Sequence, residues 1–209
     1  MEAAKTDQRR EAGLRTRTRL MDSALDLLAK RGEDAISLRE VTGAAEANVA
    51  AVSYHFGSLK SLCDAAVEYA LERYLAAQEE AVSTLGEDAS IEEAAAAFAR
   101  PVTRALAMGG RDLDVLRIVS RSNLDPPEGW NRFSASFDRI RGAVVRVLRA
   151  NLPDVEDAEL IFRVRCAAGL LNWLVLAPLG DQLRDRPERK VERMLVPVLA
   201  GALRGIPSA

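Results

Sequence analysis

Residues 37–62 read SLREVTGAAEANVAAVSYHFGSLKSL. Leu38, Val41 and Ala45 recur at steps of three and four, as do Val49, Val52 and Phe56, and each set marks one face of a short helix. Only Glu46, Ala47 and Asn48 lie between them, and the small Ala44, Ala45 and Ala47 at the corner allow close approach. Ser37 with Glu40 three residues on is a capping box that fixes where the first of these helices begins. Asn48 is the N-cap of the second, expected over about 49–54. Two short amphipathic helices joined by about three residues make a helix-turn-helix unit, whose second helix lies in the major groove of DNA.

From Val41 to Ser58 the pattern Val-x-x-x-Ala-x-Ala-Asn-Val-Ala-Ala-Val-Ser-Tyr-His-Phe-Gly-Ser resembles the DNA-binding signature of the TetR family of bacterial transcriptional regulators. Tyr54-His55-Phe56-Gly57-Ser58 is its most specific part, and the likeness covers about residues 16–69. It implies an all-α chain with a three-helix helix-turn-helix domain at the N-terminus and a helical ligand-binding and dimerisation domain behind it. By the same resemblance the function is that of a ligand-responsive repressor, binding a palindromic operator in double-stranded DNA as a homodimer and released by a small-molecule effector. Two positions depart from the family pattern. Glu46 stands where Gly is usual, at a turn that commonly needs a left-handed backbone costing a non-Gly residue on the order of 1 kcal/mol. Leu59 replaces the Lys that commonly follows Gly-Ser, leaving Lys60 as the basic residue in the first turn of the next helix.

With Val49, Val52 and Phe56 turned to the core, Asn48, Ala50, Ala51, Ser53, Tyr54 and His55 are left for the groove. Ala50 and Ala51 can approach a thymine methyl, Ser53 can bond a base edge or a phosphate, and Tyr54 and His55 can donate to phosphate oxygens. His55, the only histidine, can equally be a packed structural residue. Ser37 suits both a cap and a phosphate contact, and Lys60 either a phosphate contact or solvent. Arg9, Arg10 and Arg15 lie ahead of a first helix expected over about 16–30, with Leu20, Ala24, Leu27 and Leu28 inward, and Arg17 and Arg19 stand at its start. There they can follow a backbone or enter a minor groove, Arg17 being the strongest candidate; a solvated tail is the alternative for Arg9 and Arg10.

The 209 residues, 48% apolar and 29% charged, are those of an ordinary globular chain of one or two small domains. Overall 29 basic residues face 31 acidic ones, a balance that alone argues against a nucleic-acid binder; residues 1–60 carry 10 against 9. Cys63 and Cys166 lie far apart in separate helical patterns, so no disulfide framework is expected and a reducing cytoplasm is the natural location, the thiols being inert or redox-sensing. The charged N-terminus lacks the apolar stretch of a secretory signal. The longest nearly apolar run, 166–180, is broken by Asn172 and falls short of the about 20 residues a membrane span needs. No membrane association and no cofactor are expected.

The domain boundary is placed at residue 58, giving 1–57 for the arm and DNA-binding unit and 58–209 for the effector-binding and dimerisation domain. A long helix from Ser58 toward Gly86 connects the two. Helical periods follow over 90–108, where Pro101 should kink or divide the helix, over 112–121, and then from Trp130 through Phe133, Phe137, Ile140, Val144 and Leu148. That aromatic stripe reads as core or as ligand wall. Over about 157–177 one stripe is wholly apolar, whereas its neighbour carries Arg165 and Asn172. Polar groups on such a face need partners, either in a ligand or across a dimer interface. Candidate pocket residues are therefore Phe98, Trp130, Phe133, Phe137, Arg165 and Asn172. The last helix, about 188–203 with Val191, Leu195, Val198 and Ala202 on one face, pairs with its predecessor as the expected homodimer contact.

An enzyme is not expected. The chain has one histidine, no Cys or His cluster at metal spacing, no phosphate-binding glycine loop and no serine elbow. A helical enzyme or carrier using the C-terminal cavity is the remotest alternative, and a nonspecific DNA-associated scaffold is the nearer one.

Overall fold

In a computed structural model, residues 2–126, 130–177, 182–183 and 186–205 are described, and among them helices and turns are the only regular structure. Packing divides the chain into two units, 1–71 and 72–209. The division falls inside one helix, α4 (Leu59–Ser83), whose first half stays with the N-terminal unit and whose second half belongs to the other. Its 25 residues make a rod of about 37 Å.

The N-terminal unit begins with α1 (Glu2–Arg31), longer than the sequence suggests. Arg10 and Arg15 thus lie within the helix rather than ahead of it, on the same rod as Arg17 and Arg19. Apolar periodicity could not reveal the added turns, because residues 10–19 are all exposed or half-buried; Ala, Arg, Glu and Gln carry them through propensity. An i,i+4 contact between Arg15 and Glu11 at 3.5 Å adds a little. The inward face is Leu20, Ala24, Leu25, Leu28 and Ala29, whereas Leu27, expected inward, is half-buried.

A short 3-10 turn at Glu33–Ala35 leads to α2 (Leu38–Ala44) and then α3 (Val49–Phe56). The capping box is formed: the Glu40 N–H donates to Ser37 Oγ and the Ser37 N–H donates to Glu40 Oε2 at 2.8 Å. Arg31 ties the end of α1 to the same carboxylate at 2.9 Å. The bond from the Ser37 hydroxyl comes first and Arg31 second among the causes that hold the Glu40 carboxyl below the usual range. Asn48 Oδ1 accepts from the Ala50 N–H at 2.9 Å as the N-cap of α3, and Gly57 ends it at φ 82°. Val41, Ala45, Val52 and Leu62 close the small core, whereas Val49, expected inward, is 43% exposed. It occupies the first helical position, where the chain is still leaving the turn.

Glu46 has φ 49°, the one positive φ of a non-glycine among the described residues. The backbone needs the left-handed turn whichever residue occupies it, because the Ala47 N–H bonds the Thr42 carbonyl at 2.9 Å. Glu46→Gly removes the Cβ clash but also frees the unfolded chain. We expect a net gain of up to about 1 kcal/mol in chemical unfolding with α2 and α3 unchanged.

In the C-terminal unit α5 (Ile91–Met108) starts from a second capping box, Ser90 with Glu93, and runs unbroken through Pro101. It packs on α6 (Gly110–Leu124), α7 (Ser134–Asn151) and, most extensively, α9 (Glu188–Arg204), while α8 (Asp157–Leu176) packs on α6, α7 and α9. Trp130–Phe133 forms a 3-10 turn ahead of α7, so the aromatic run is not one continuous helical stripe. Leu160, Val164, Ala167, Leu171 and Leu174 of α8 are buried as their spacing predicts. On α9 the buried positions are Val191, Leu199, Ala200 and Leu203; of the face expected to run through Val191, Leu195, Val198 and Ala202, Val191 is buried and Val198 is 58% exposed.

Candidate nucleic-acid interface and effector cavity

The N-terminal unit presents α3 on one side of its core. Val52 anchors it at 1% exposure, while Tyr54 stands 85% exposed. Asn48, Ala50 and Ser53 are exposed with it, and Ala51 and His55 are half-buried. Side chains this short leave the helix backbone able to enter a groove closely, and Tyr54 offers a long, fully presented donor on that face. The His55 ring packs edge-on to Tyr54, with centroids 4.9 Å apart, and a Cβ added at Gly13 would lie 3.8 Å from its Cε1. Gly13 therefore brings α1 close beside the imidazole.

Arg17 is exposed, and its guanidinium lies 4.7 Å from the centroid of the Phe56 ring, a cation–π contact that holds α1 to the end of α3. Ser37 serves as a cap. Its hydroxyl donates to Glu40 Oε2 at 2.7 Å, so a phosphate contact would have to take that donor from the carboxylate. Lys60 reaches Asp64 at 3.1 Å, with both side chains half or more exposed. Such a surface pair contributes little, and the ammonium can exchange it for a phosphate.

Within the C-terminal unit a cavity of about 720 Å³ opens between α4, α5, α6, α7 and α8. Five of the six candidate pocket residues, Phe98, Trp130, Phe137, Arg165 and Asn172, line it. Phe133 does not; it packs edge-on to Trp130 at 6.5 Å and lies under the Arg132 guanidinium. Trp130 and Phe137 are stacked, with centroids 5.7 Å apart and planes 27° from parallel. The sequence left Arg165 and Asn172 open between ligand and dimer interface. Both are on the cavity wall, and Asn172 Oδ1 accepts from Asn123 Nδ2 of α6 at 3.2 Å.

Gln78, Asn123 and Arg141 also line it, polar residues that the sequence reading did not single out. Gln78 is the one with a signal, an amide on the buried side of a long helix at 1% exposure. Its Nε2 donates to the Phe98 carbonyl at 3.0 Å, in the turn that ends at Pro101. Tyr74, one turn earlier, also lines the cavity, and burial pushes its phenol up to about 12. Among the described residues no cluster of His, Cys, Asp or Glu is arranged to hold a metal ion, and no helix is long and apolar enough to cross a membrane.

Comparison with known proteins places both units. Residues 20–66 match the model of bacterial regulatory proteins of the tetR family, and residues 96–202 match that of the tetracyclin repressor-like C-terminal domain. No curated protein matches the chain. Among solved structures it is similar to the TetR family transcriptional regulator PfmR from Thermus thermophilus, with 21% identity, 91% of this chain and 97% of that one covered, and a TM-score of 0.61. A TetR-like transcriptional regulator from Rhodococcus sp. RHA1 aligns with a TM-score of 0.64 at 16% identity, over 88% of this chain and 93% of that one. At such identities the structural likeness speaks for the fold, and the family models speak for descent. With the two matches spanning its DNA-binding and its C-terminal helices, the chain belongs to the TetR family of DNA-binding transcriptional regulators.

Proposed function

We propose that the protein is a cytoplasmic repressor that binds a palindromic operator as a homodimer and is released by a small molecule held in the C-terminal cavity. The observation that carries the reading is the face of α3: Ala50, Ser53 and Tyr54 turned to solvent on a helix capped at both ends and anchored by buried Val52. In this reading Ala50, Ala51 and Ser53 meet base edges, Tyr54, His55 and Lys60 meet phosphates, and Arg17, Ser37 and Asn48 hold the unit in register.

Dimerisation is supported by an apolar surface on the last two helices. Phe162 and Trp173 of α8 are 63% and 60% exposed, and Met194 and Val198 of α9 are 50% and 58% exposed. On α8 the sequence Phe162, Cys166, Leu170, Trp173 follows a single face, next to the one that lines the cavity. A C2 dimer covers such a patch with its own copy. An effector that prefers the conformer with the wrong half-site spacing then weakens operator binding in proportion to its differential affinity for the two states. The same helix, α4, carries Lys60 near one end and Tyr74 and Gln78 on the cavity wall.

Selection of bound duplexes from a random pool tests this. The expected product is a palindrome whose half-site centres lie about 34–36 Å, one helical turn, apart. Recovery of unenriched sequence would favour a nonspecific DNA-associated scaffold instead.

A further inference from the structure

Three properties of the cavity wall define what it can hold. The first is charge. Arg141 and Arg165 line it, and no carboxylate does among the described residues. Arg141 is paired with Asp138, whereas Arg165 has no ion pair or hydrogen bond among the described residues. A guanidinium without a counter-charge at the wall of a partly apolar cavity attracts an anion and can bind a carboxylate with two parallel bonds.

The second property is the stacked pair Trp130 and Phe137, a flat apolar wall with a π face suited to an aromatic body. The third is Gln78. Its Nε2 is used on the Phe98 carbonyl, while its Oε1 is buried with no hydrogen-bond partner. A buried acceptor left unmet is costly, and at a cavity wall a ligand O–H or N–H can meet it after a small rotation of the amide.

We propose that the effector is an aromatic acid that also carries a hydrogen-bond donor: a carboxylate at Arg165, the ring system against Trp130 and Phe137, and the donor at Gln78 Oε1. This deepens, and rests on, the reading of the cavity as the effector site. The about 720 Å³ available is in the range that holds a molecule of two or three fused or linked rings. Recognition is electrostatic at one group, by stacking along the body and by one directed hydrogen bond.

The test is calorimetry on the full chain with 6-hydroxy-2-naphthoic acid, its primary amide, 2-naphthoic acid and decanoic acid. The hydroxy acid is expected to bind on the order of ten- to a hundredfold more tightly than its amide, and several-fold more tightly than the acid lacking the hydroxyl. Arg165→Gln, at an exposed position, should erase the preference for acid over amide and leave the amide's affinity unchanged. Gln78→Met should erase the preference for the hydroxyl; the comparison of the two naphthoic acids on the unaltered chain tests the same bond without any variant. Equal affinity for acid and amide, no binding of the hydroxy acid, or an acid preference that survives Arg165→Gln overturns the proposal, and tighter binding of decanoate overturns its aromatic part. The duplex selection runs independently. A chain that selects a palindrome but binds no acid loses this inference alone, and one that binds the acid but selects no DNA loses the repressor reading alone.

Discussion

Trp173→Arg should leave each chain folded but monomeric, and should lower affinity for a two-half-site duplex by about a thousandfold or more. Trp173 is 60% exposed on the outer face of α8, so its replacement opens no cavity in the chain's own core. In a C2 dimer the change is made twice. Each indole taken out of water contributes about 2–3 kcal/mol at roughly 25 cal/mol per Å² of apolar surface. Two lost indoles therefore remove about 4–6 kcal/mol, and two arginines brought together add repulsion. A monomer then contacts one half-site and loses the second as an intramolecular event. Sedimentation together with duplex titration reads both effects. Met108→Arg is the control: Met108 is 66% exposed but sits at the end of α5, and its replacement should leave the dimer intact.

Tyr54→Phe is the counterpart on the DNA side, with an expected loss of about a hundredfold in operator affinity. The phenol is 85% exposed, so stability should change by no more than about 0.5 kcal/mol. A hydrogen bond to a charged phosphate oxygen contributes roughly 1.5 kcal/mol or more, and the dimer's symmetry doubles it. No charge is removed, so the slope of log affinity against log salt should stay the same, and the loss should be equal for the operator and for other sequences. Lys60→Ala should differ in just that respect by flattening the slope. Ala50→Val should differ again, changing which base is preferred at one position of each half-site and leaving nonspecific binding alone.

How far the sequence could be read depended on what each residue buries. Ser37, Glu40 and Asn48 announced the starts of α2 and α3 because caps are local chemistry. Glu46 was legible as a conflict between residue and turn, and its φ of 49° shows that the turn prevailed. The part of α1 ahead of residue 16 was not legible, since over 10–15 its exposed and half-buried side chains display no apolar period. From Met194 to Leu203 α9 is an unbroken apolar run, so periodicity alone could not separate Leu199, which is buried, from Val198, which is not. The cavity was half legible. Arg165 and Asn172 stood out as polar groups on an apolar helix, but Gln78 and Asn123 acquire meaning only once α4 and α6 are folded around the same space. Lys60 shows the converse limit: its partner Asp64 is one turn along the same helix, a pairing that i,i+4 spacing makes visible in the sequence.

In the proposed repressor, α3 reads sequence and does not merely adhere to phosphate. The direct measurement is the affinity of the protein for its selected duplex against a scrambled duplex of the same length and composition, at roughly 50 and 200 mM salt. A preference of about a thousandfold or more at both concentrations is the predicted result, with both affinities falling as salt rises while their ratio persists. Equal affinity for the two duplexes, weak and abolished at the higher salt, would contradict it.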